Sequence, residues 1–284
     1  MIWRCRDRAF DLAAGPLVMG VLNMTPDSFS DGGRFTEPGA ALEHARRMID
    51  EGADLIDVGA ESTRPGAAPV SADEQWRRLE PVLAPLAAAG VVLSVDTASA
   101  AVARRALAAG AHAVNDVSAL GDPDMAAAVA AAGAGIVLMH MRGTPATMQQ
   151  DPQYDDVVAE VRAHLFERMR TARAAGIEAE RIAVDPGIGF GKALAHNLEL
   201  IAGLGALCSL GRPVLVGLSR KRFIGAVLEA GAGERLEGGL AAAAVAVFAG
   251  ADVVRTHDVR ETVRAARMAA ALRGARRARS VLET

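Results

Sequence analysis

Asn23, the run Glu61-Ser62-Thr63-Arg64, Asp96, Asn115, His140, Asp185, Ser219 with Lys221, and Arg255 with His257 all stand at or just after the end of a short apolar run. Two kinds of chemistry separate among them. Asp96, Asn115, Asp185 and Lys221 suit a flat, amide-bearing heterocycle. A carboxylate accepts from a ring N–H and an exocyclic amine together, an asparagine supplies both a donor and an acceptor, and an ammonium donates to a carbonyl. Arg255, His257 and Arg64 are cationic. With Asn23 as a candidate metal ligand, they suit a diphosphate and its Mg2+.

Structural uses of the same residues compete with this reading. Asp96 and Asp185 could be helix N-caps. Pro186-Gly187 fits a turn better than a helix start, which favours ligand contact for Asp185. Asp116 could orient a neighbour or merely begin a loop. His140 is expected to be structural, and His44, His112, His164 and His196 to lie on the surface; no pair among them has zinc spacing. Met139 and Met141 suit a wall or the core. The chain has two lysines, Lys192 and Lys221, among many arginines, and a retained lysine points to a need for a compact ammonium.

Such residues must be held by a frame, and one pattern repeats along the chain. A short β-branched run closes on a polar residue and an alanine-rich helical stretch follows. The apolar runs are Leu17–Met24, Asp54–Gly59, Val91–Asp96, Ala113–Val117, Gly135–His140, Ile182–Asp185, Pro213–Gly217 and Asp252–Arg255. Their shortness fits strands buried on both faces. Helices are expected over Pro38–Glu51, Ala72–Ala89, Ala98–Ala109, Pro123–Ala132, Tyr154–Ala175, Asn197–Ala206, Lys221–Glu229 with Arg235–Phe248, and Val259–Arg273. Gly52, Gly110 and Gly250 are stop signals. Eight such units predict an α/β fold, a (β/α)8 TIM barrel, whose functional residues gather at the C-terminal strand ends. A doubly wound open sheet is the alternative, and the missing Gly-x-Gly-x-x-Gly turn counts against it. Residues 1–16 carry a short N-terminal hairpin, Ile2–Cys5 with Ala9–Leu12, under the barrel bottom. Residues 17–273 form the barrel of this single domain, and 274–284 a tail.

With 284 residues and 51% of them hydrophobic, a large core is available. The net charge of −3 and the lack of a basic stripe argue against nucleic acid. The basic cluster Arg273, Arg276, Arg277 and Arg279 is expected to be a solvated helix end. No apolar run is long enough for a membrane span, and the N-terminal segment lacks an apolar signal core. Cys5 and Cys208 are expected to be free thiols, and the chain to be cytoplasmic.

The motifs then resemble one family. Asn23-Met24-Thr25-Pro26-Asp27-Ser28-Phe29-Ser30-Asp31-Gly32-Gly33 and Asp57-Val58-Gly59-Ala60-Glu61-Ser62-Thr63-Arg64-Pro65-Gly66 are similar to the two signatures of the dihydropteroate synthases. Ser94–Thr97, Asn115–Ser118, Met139–Gly143, Asp185–Lys192, Gly217–Lys221 and Arg255–Val259 follow in that family's order. The resemblance implies a pterin pocket made by Asp96, Asn115, Asp185 and Lys221, walled by Val117, Met139, Gly189, Phe190 and Gly217. It implies that Arg255 stacks on the pterin and holds the diphosphate with His257, and that Asn23 binds Mg2+. Thr63 and Arg64 would lie near the diphosphate, and Phe29, Asp31, Pro65 and Ser219 would shape a p-aminobenzoate site. Asp96, Lys221, Arg255 and His257 would be the catalytic group. The implied partners are dihydropterin pyrophosphate, p-aminobenzoate and a second copy in a homodimer. Arg222 departs from the family, many members of which carry a small hydroxyl residue there. The alternatives are a pterin-binding methyltransferase domain and a noncatalytic pterin-binding paralogue.

Overall fold

The structure, a computed structural model, describes residues 1–25, 38–62 and 67–282. A hairpin of β1 (Ile2–Cys5) and β2 (Arg8–Asp11) comes first. Eight parallel strands follow: β3 (Leu17–Asn23), β4 (Leu55–Gly59), β5 (Leu93–Asp96), β6 (Ala113–Asp116), β7 (Gly135–Met139), β8 (Ile182–Asp185), β9 (Leu215–Gly217) and β10 (Val253–Thr256). They lie in the order β8-β7-β6-β5-β4-β3-β10-β9. A parallel bridge between Val184 and Val214, with Val184 N donating to Pro213 O at 2.9 Å, joins the last two edges into a barrel. Each strand falls within two residues of its expected bounds.

Helices α1 (Pro38–Asp50), α2 (Ala72–Ala88), α3 (Ala100–Ala108), α4 (Met125–Ala132) and α5 (Val157–Ala174) cover the first half of the barrel. The second half carries α6 (Leu194–Ala202), α7 (Gly205–Cys208), α8 (Arg222–Leu228), α9 (Leu236–Ala249) and α10 (Val259–Leu282). The helix expected over Asn197–Ala206 is two helices, parted at Gly203. Side-chain caps start several helices: Ser71 accepts from Glu74 N, Ser99 from Val102 N and Asp156 from Ala159 N. Because Ser99 caps α3, Asp96 is left for other duties.

The tail expected at 274–284 is corrected by α10, which continues to Leu282. Arg273 is not solvated either. It is buried and donates to Val247 O (3.0 Å) and Ala251 O (3.2 Å), satisfying carbonyls at the end of α9. His112, expected on the surface, is also buried, and its Nδ1 accepts from Leu93 N at 3.2 Å.

The period-2 alternation of strand side chains explains where the core ends and the site begins. Val18, Ile56, Val58, Val95, Val114, Ile136, Leu138, Val184, Val216 and Val254 point outward and pack with the helices. Leu17, Met19, Leu55, Ala113, Val137, Ala183, Leu215 and Val253 form a separate inner layer with Trp3, Cys5 and Leu12. The hairpin therefore plugs the bottom of the barrel. Gly135 permits this approach, since a Cβ there would stand 2.6 Å from Cys5 Sγ. Two residues further along each strand, the inner positions become Asp57, Asn115, Met139, Asp185, Gly217 and Arg255.

Candidate active site

Strand register sets these upper-layer residues side by side. Asp96 pairs in register with Gly59 and Asn115, Met139 with Asp185, and Arg255 with Gly217. Arg255 spans the barrel mouth. Its Nε donates to Asp57 Oδ2 at 2.6 Å and its Nη2 to Asp96 Oδ2 at 2.8 Å. Asn115 Nδ2 donates to the same Asp57 oxygen at 2.9 Å. Asp57 Oδ1 and Asn115 Oδ1 are buried without a hydrogen-bond partner. Two unpaired acceptors in a ring of charge leave room for the N–H groups of a ligand.

Asp185 and Lys221 face this group. Asp185 Oδ1 accepts from Gly187 N at 2.7 Å, closing the turn after β8. Gly187 has a left-handed backbone (φ 66°), and a Cβ there would lie 1.9 Å from His140 O. Lys221 Nζ donates to Ile188 O and lies 4.5 Å from the centre of the Phe190 ring. A Cβ added at Gly217 would lie 4.0 Å from both Lys221 Nζ and Arg255 Cβ, so Gly217 stands between these two residues. Met139 is buried at the end of β7, its Cγ 3.3 Å from where a Gly187 Cβ would stand.

Burial and crowding shift these groups in opposite directions. Burial pushes Asp96 up to about 7; Arg255 counters this, while Asp57 adds to it. Burial also raises Asp185, with Lys221 opposing. Burial lowers Lys221 to about 8, although Asp185 supports its charge. For Arg255, burial works against the charge, but Asp57 and Asp96 hold its proton above the ordinary arginine value. The rim thus carries acids and bases poised near neutrality, as expected at a site of chemistry rather than of packing.

Ser219 and His257 lie further out on the rim. Ser219 Oγ donates to Asp258 Oδ2 at 3.2 Å, accepts from His257 N at 3.3 Å and lies 3.2 Å from His257 Nδ1. Arg220 pairs with Asp258 at 2.6 Å, which fixes this corner. Asn23 closes β3, half-buried, in register with Gly59. Among the described residues no group of three His, Cys, Asp or Glu could hold a metal. Phe29, Asp31, Thr63, Arg64 and Pro65 lie outside the described residues.

The structure gives other rim residues structural work. Glu61 accepts from Val70 N (2.9 Å) and Gln75 Nε2 (3.1 Å), shaping the approach to α2. Asp116 accepts from Ser118 N (2.9 Å) and Leu120 N (2.6 Å), and orders its own loop. Asp57 was missed as a site residue. Asp57 had a signal in the sequence: it is a carboxylate in the middle of Leu55–Gly59, a run buried throughout. A charge in that place must be paired.

A closed parallel barrel crowned by a carboxylate, amide and cation ring of this kind defines a pterin-binding enzyme, and the family described as pterin binding enzyme matches residues 19–257. The dihydropteroate synthase of Escherichia coli strain K12 is 48% identical over 254 residues, covering 89% of this chain and 90% of that protein. The Yersinia pestis dihydropteroate synthase, solved in complex with a sulfonamide drug, superposes with a TM-score of 0.91 at 44% identity, covering 97% of this chain and 100% of that one. The Xanthomonas albilineans dihydropteroate synthase with 4-aminobenzoic acid superposes with a TM-score of 0.89 at 48% identity, covering 95% of this chain and 97% of that one. Within the pterin-binding class, the chain belongs to the dihydropteroate synthase family.

Proposed function

We propose that this barrel condenses 6-hydroxymethyl-7,8-dihydropterin pyrophosphate with p-aminobenzoate, giving 7,8-dihydropteroate and pyrophosphate. The observation that carries the reading is Arg255 held between Asp57 and Asp96, beside unpartnered acceptors on Asp57 and Asn115 and within electrostatic reach of Asp185 and Lys221. Asp185 and Asn115 would accept from and donate to the pyrimidine edge of the pterin, and Lys221 would donate to its carbonyl or ring nitrogen. Met139, Phe190 and Gly217 would wall the ring. Arg255 and His257 would take the diphosphate, and Ser219 would lie beside the arylamine site. Phe29, Asp31, Pro65, Thr63 and Arg64 complete the reading on the strength of the resemblance.

In the reaction, the carbon–oxygen bond to the diphosphate breaks and its electron pair leaves with pyrophosphate. The electron-rich dihydropterin spreads the resulting positive charge, which ionised Asp96 opposes. The arylamine nitrogen then forms the new carbon–nitrogen bond and releases a proton. The arylamine is neutral at pH 7, so no strong general base is required. Mg2+, which binds with diphosphate oxygens, would supply further charge to the leaving group. Asn23 fits such an ion: one half-buried amide oxygen suffices where substrate oxygens and water fill the other positions.

The test is pyrophosphate release from dihydropterin pyrophosphate and Mg2+, with and without p-aminobenzoate. Release that depends on p-aminobenzoate supports the assignment. Methyl transfer from methyltetrahydrofolate would instead favour the methyltransferase alternative, and pterin binding without turnover would favour a noncatalytic paralogue. Sulfonamides should compete with p-aminobenzoate, as the Yersinia pestis complex suggests.

Among the described residues no helix is long and apolar enough to cross a membrane. Cys5 is a buried free thiol, which suits the reducing cytoplasm. Val245 on α9 and Met268 and Leu272 on α10 are more than half exposed. This apolar face supports a homodimer, which sedimentation would test.

A further inference from the structure

Lys192 lies in the loop between β8 and α6 and is 3% exposed. Its ammonium donates to Gly187 O (2.9 Å), Phe190 O (2.9 Å) and His140 O (3.3 Å), and lies 3.0 Å from His140 Nδ1. Two of these acceptors belong to the β8–α6 loop and two to the β7–α5 loop. Burial, reinforced by Lys192 itself, holds the His140 imidazole neutral, down to about 2, so it can accept from the ammonium. Burial likewise lowers Lys192, to about 7, against the pull of Asp185. Among the described residues no carboxylate forms a salt bridge with the ammonium; three carbonyls and the His140 ring nitrogen hold it.

The loop that Lys192 braces is the one that forms the pocket. It contains Gly187, whose N–H orients Asp185, and Ile188, whose carbonyl takes the Lys221 ammonium. It also contains Phe190, the ring beneath that ammonium. Gly187, Gly189 and Gly191 all have positive φ, so this segment has little intrinsic preference for one shape. Its shape comes instead from donors that converge on its carbonyls. Gln149 Nε2 donates to Gly189 O at 2.9 Å and Tyr154 Oη to Gly191 O at 2.8 Å. Gln149 and Tyr154 tie the two loops by one bond each, whereas Lys192 brings two carbonyls of the β8–α6 loop and the backbone and ring of His140 onto one ammonium. A planar guanidinium could not direct donors at carbonyls converging from different directions, whereas a tetrahedral ammonium can.

We propose that Lys192 is a positioning residue for pterin recognition: by pinning Gly187 and Phe190 to His140, it sets the geometry of Asp185, Phe190 and the Lys221 ammonium before ligand arrives. This deepens the pterin-binding reading and rests on it. Lys192 itself need not touch the substrate.

The experiment compares wild type with Lys192→Met, which keeps the length of the side chain and removes its donors, and with Lys192→Gln, which keeps an amide. Binding of 6-hydroxymethylpterin is measured by calorimetry on folded protein, and KM and kcat by pyrophosphate release. The expected result is a tenfold or greater rise in pterin Kd and in KM for dihydropterin pyrophosphate in Lys192→Met. Saturated kcat should stay within threefold, and Lys192→Gln should be intermediate. Kd and KM within twofold of wild type in a folded variant would overturn the proposal. Failure of wild type itself to bind pterin would instead overturn the functional reading.

If neither variant folds, wild type still decides. With two lysines in the chain, 15N-lysine labelling gives two ammonium signals. Coupling is reciprocal, so saturating pterin should slow proton exchange at Lys192. An exchange rate that pterin leaves unaltered would overturn the proposal.

Discussion

Replacing Asp57 with asparagine tests the electrostatic design of the site most directly. Asp57 is fully buried, and its Oδ2 accepts from both Arg255 Nε (2.6 Å) and Asn115 Nδ2 (2.9 Å). Asparagine keeps the shape and can keep an oxygen at that position, but loses the charge. Hydrogen bonds to charged groups contribute roughly 1.5–3 kcal/mol against about 1 for neutral ones. With two such bonds weakened, Asp57→Asn should cost about 1–3 kcal/mol of stability, a fall in Tm of roughly 2–5 °C for a chain of this size. A second effect has a definite sign. The Asp57 charge helps hold Asp96 up near 7, so its removal must lower the Asp96 pKa. On the proposed mechanism ionised Asp96 is the active form, so kcat/KM should fall as pH drops through that pKa. The acid limb of the profile should therefore begin near 7 in wild type and move to lower pH in Asp57→Asn, while Arg255, less firmly held, weakens diphosphate binding about tenfold, or 1.4 kcal/mol. Stopped assays across pH 5–9 would show it. An acid limb that stays in place or moves upward would refute the coupling between these carboxylates.

Other substitutions separate the parts of the site. Asp185→Asn should weaken binding of bare pterin severely, because a charged bidentate acceptor becomes a half-acceptor; an unchanged Kd by calorimetry would remove Asp185 from the pterin edge. Arg255→Ala should impair diphosphate-bearing pterin more than bare pterin, and equal losses for the two ligands would reassign it. Trp3→Ala should destabilise by about 3–5 kcal/mol, since Trp3 is wholly buried and its Nε1 donates to Arg181 O at 3.2 Å. Trp3 plugs the end of the barrel away from the site, so kcat of the folded fraction should not change; a loss of kcat would mean that the plug is coupled to the rim.

How much of this was legible in the sequence follows from which forces are local. The short β-branched runs that close on a polar residue marked the strands, and the alanine-rich stretches closed by glycine marked the helices, because run length, propensity and capping depend on neighbours a few residues away. The barrel followed from eight such units. The rim residues Asp96, Asn115, Asp185, Lys221 and Arg255 could be named because functional side chains gather where strands end, and the structure brings these five around one space.

Tertiary structure alone decided the pairings. Nothing local says that Asp57 would share one oxygen between Arg255 and Asn115, 198 and 58 residues away. Strand register in a closed sheet sets that meeting. Nor could local signals show that Arg273 would turn inward to cap α9, or that His112 would be buried as an acceptor for Leu93. Lys192 shows the same limit most clearly. In sequence it is a second lysine seven residues past Asp185, but its four acceptors come together only when two loops on adjacent strands are folded against each other. A sequence states which groups need partners; the fold chooses the partners, because burial makes unpaired charge costly and proximity across the barrel is a property of the whole chain.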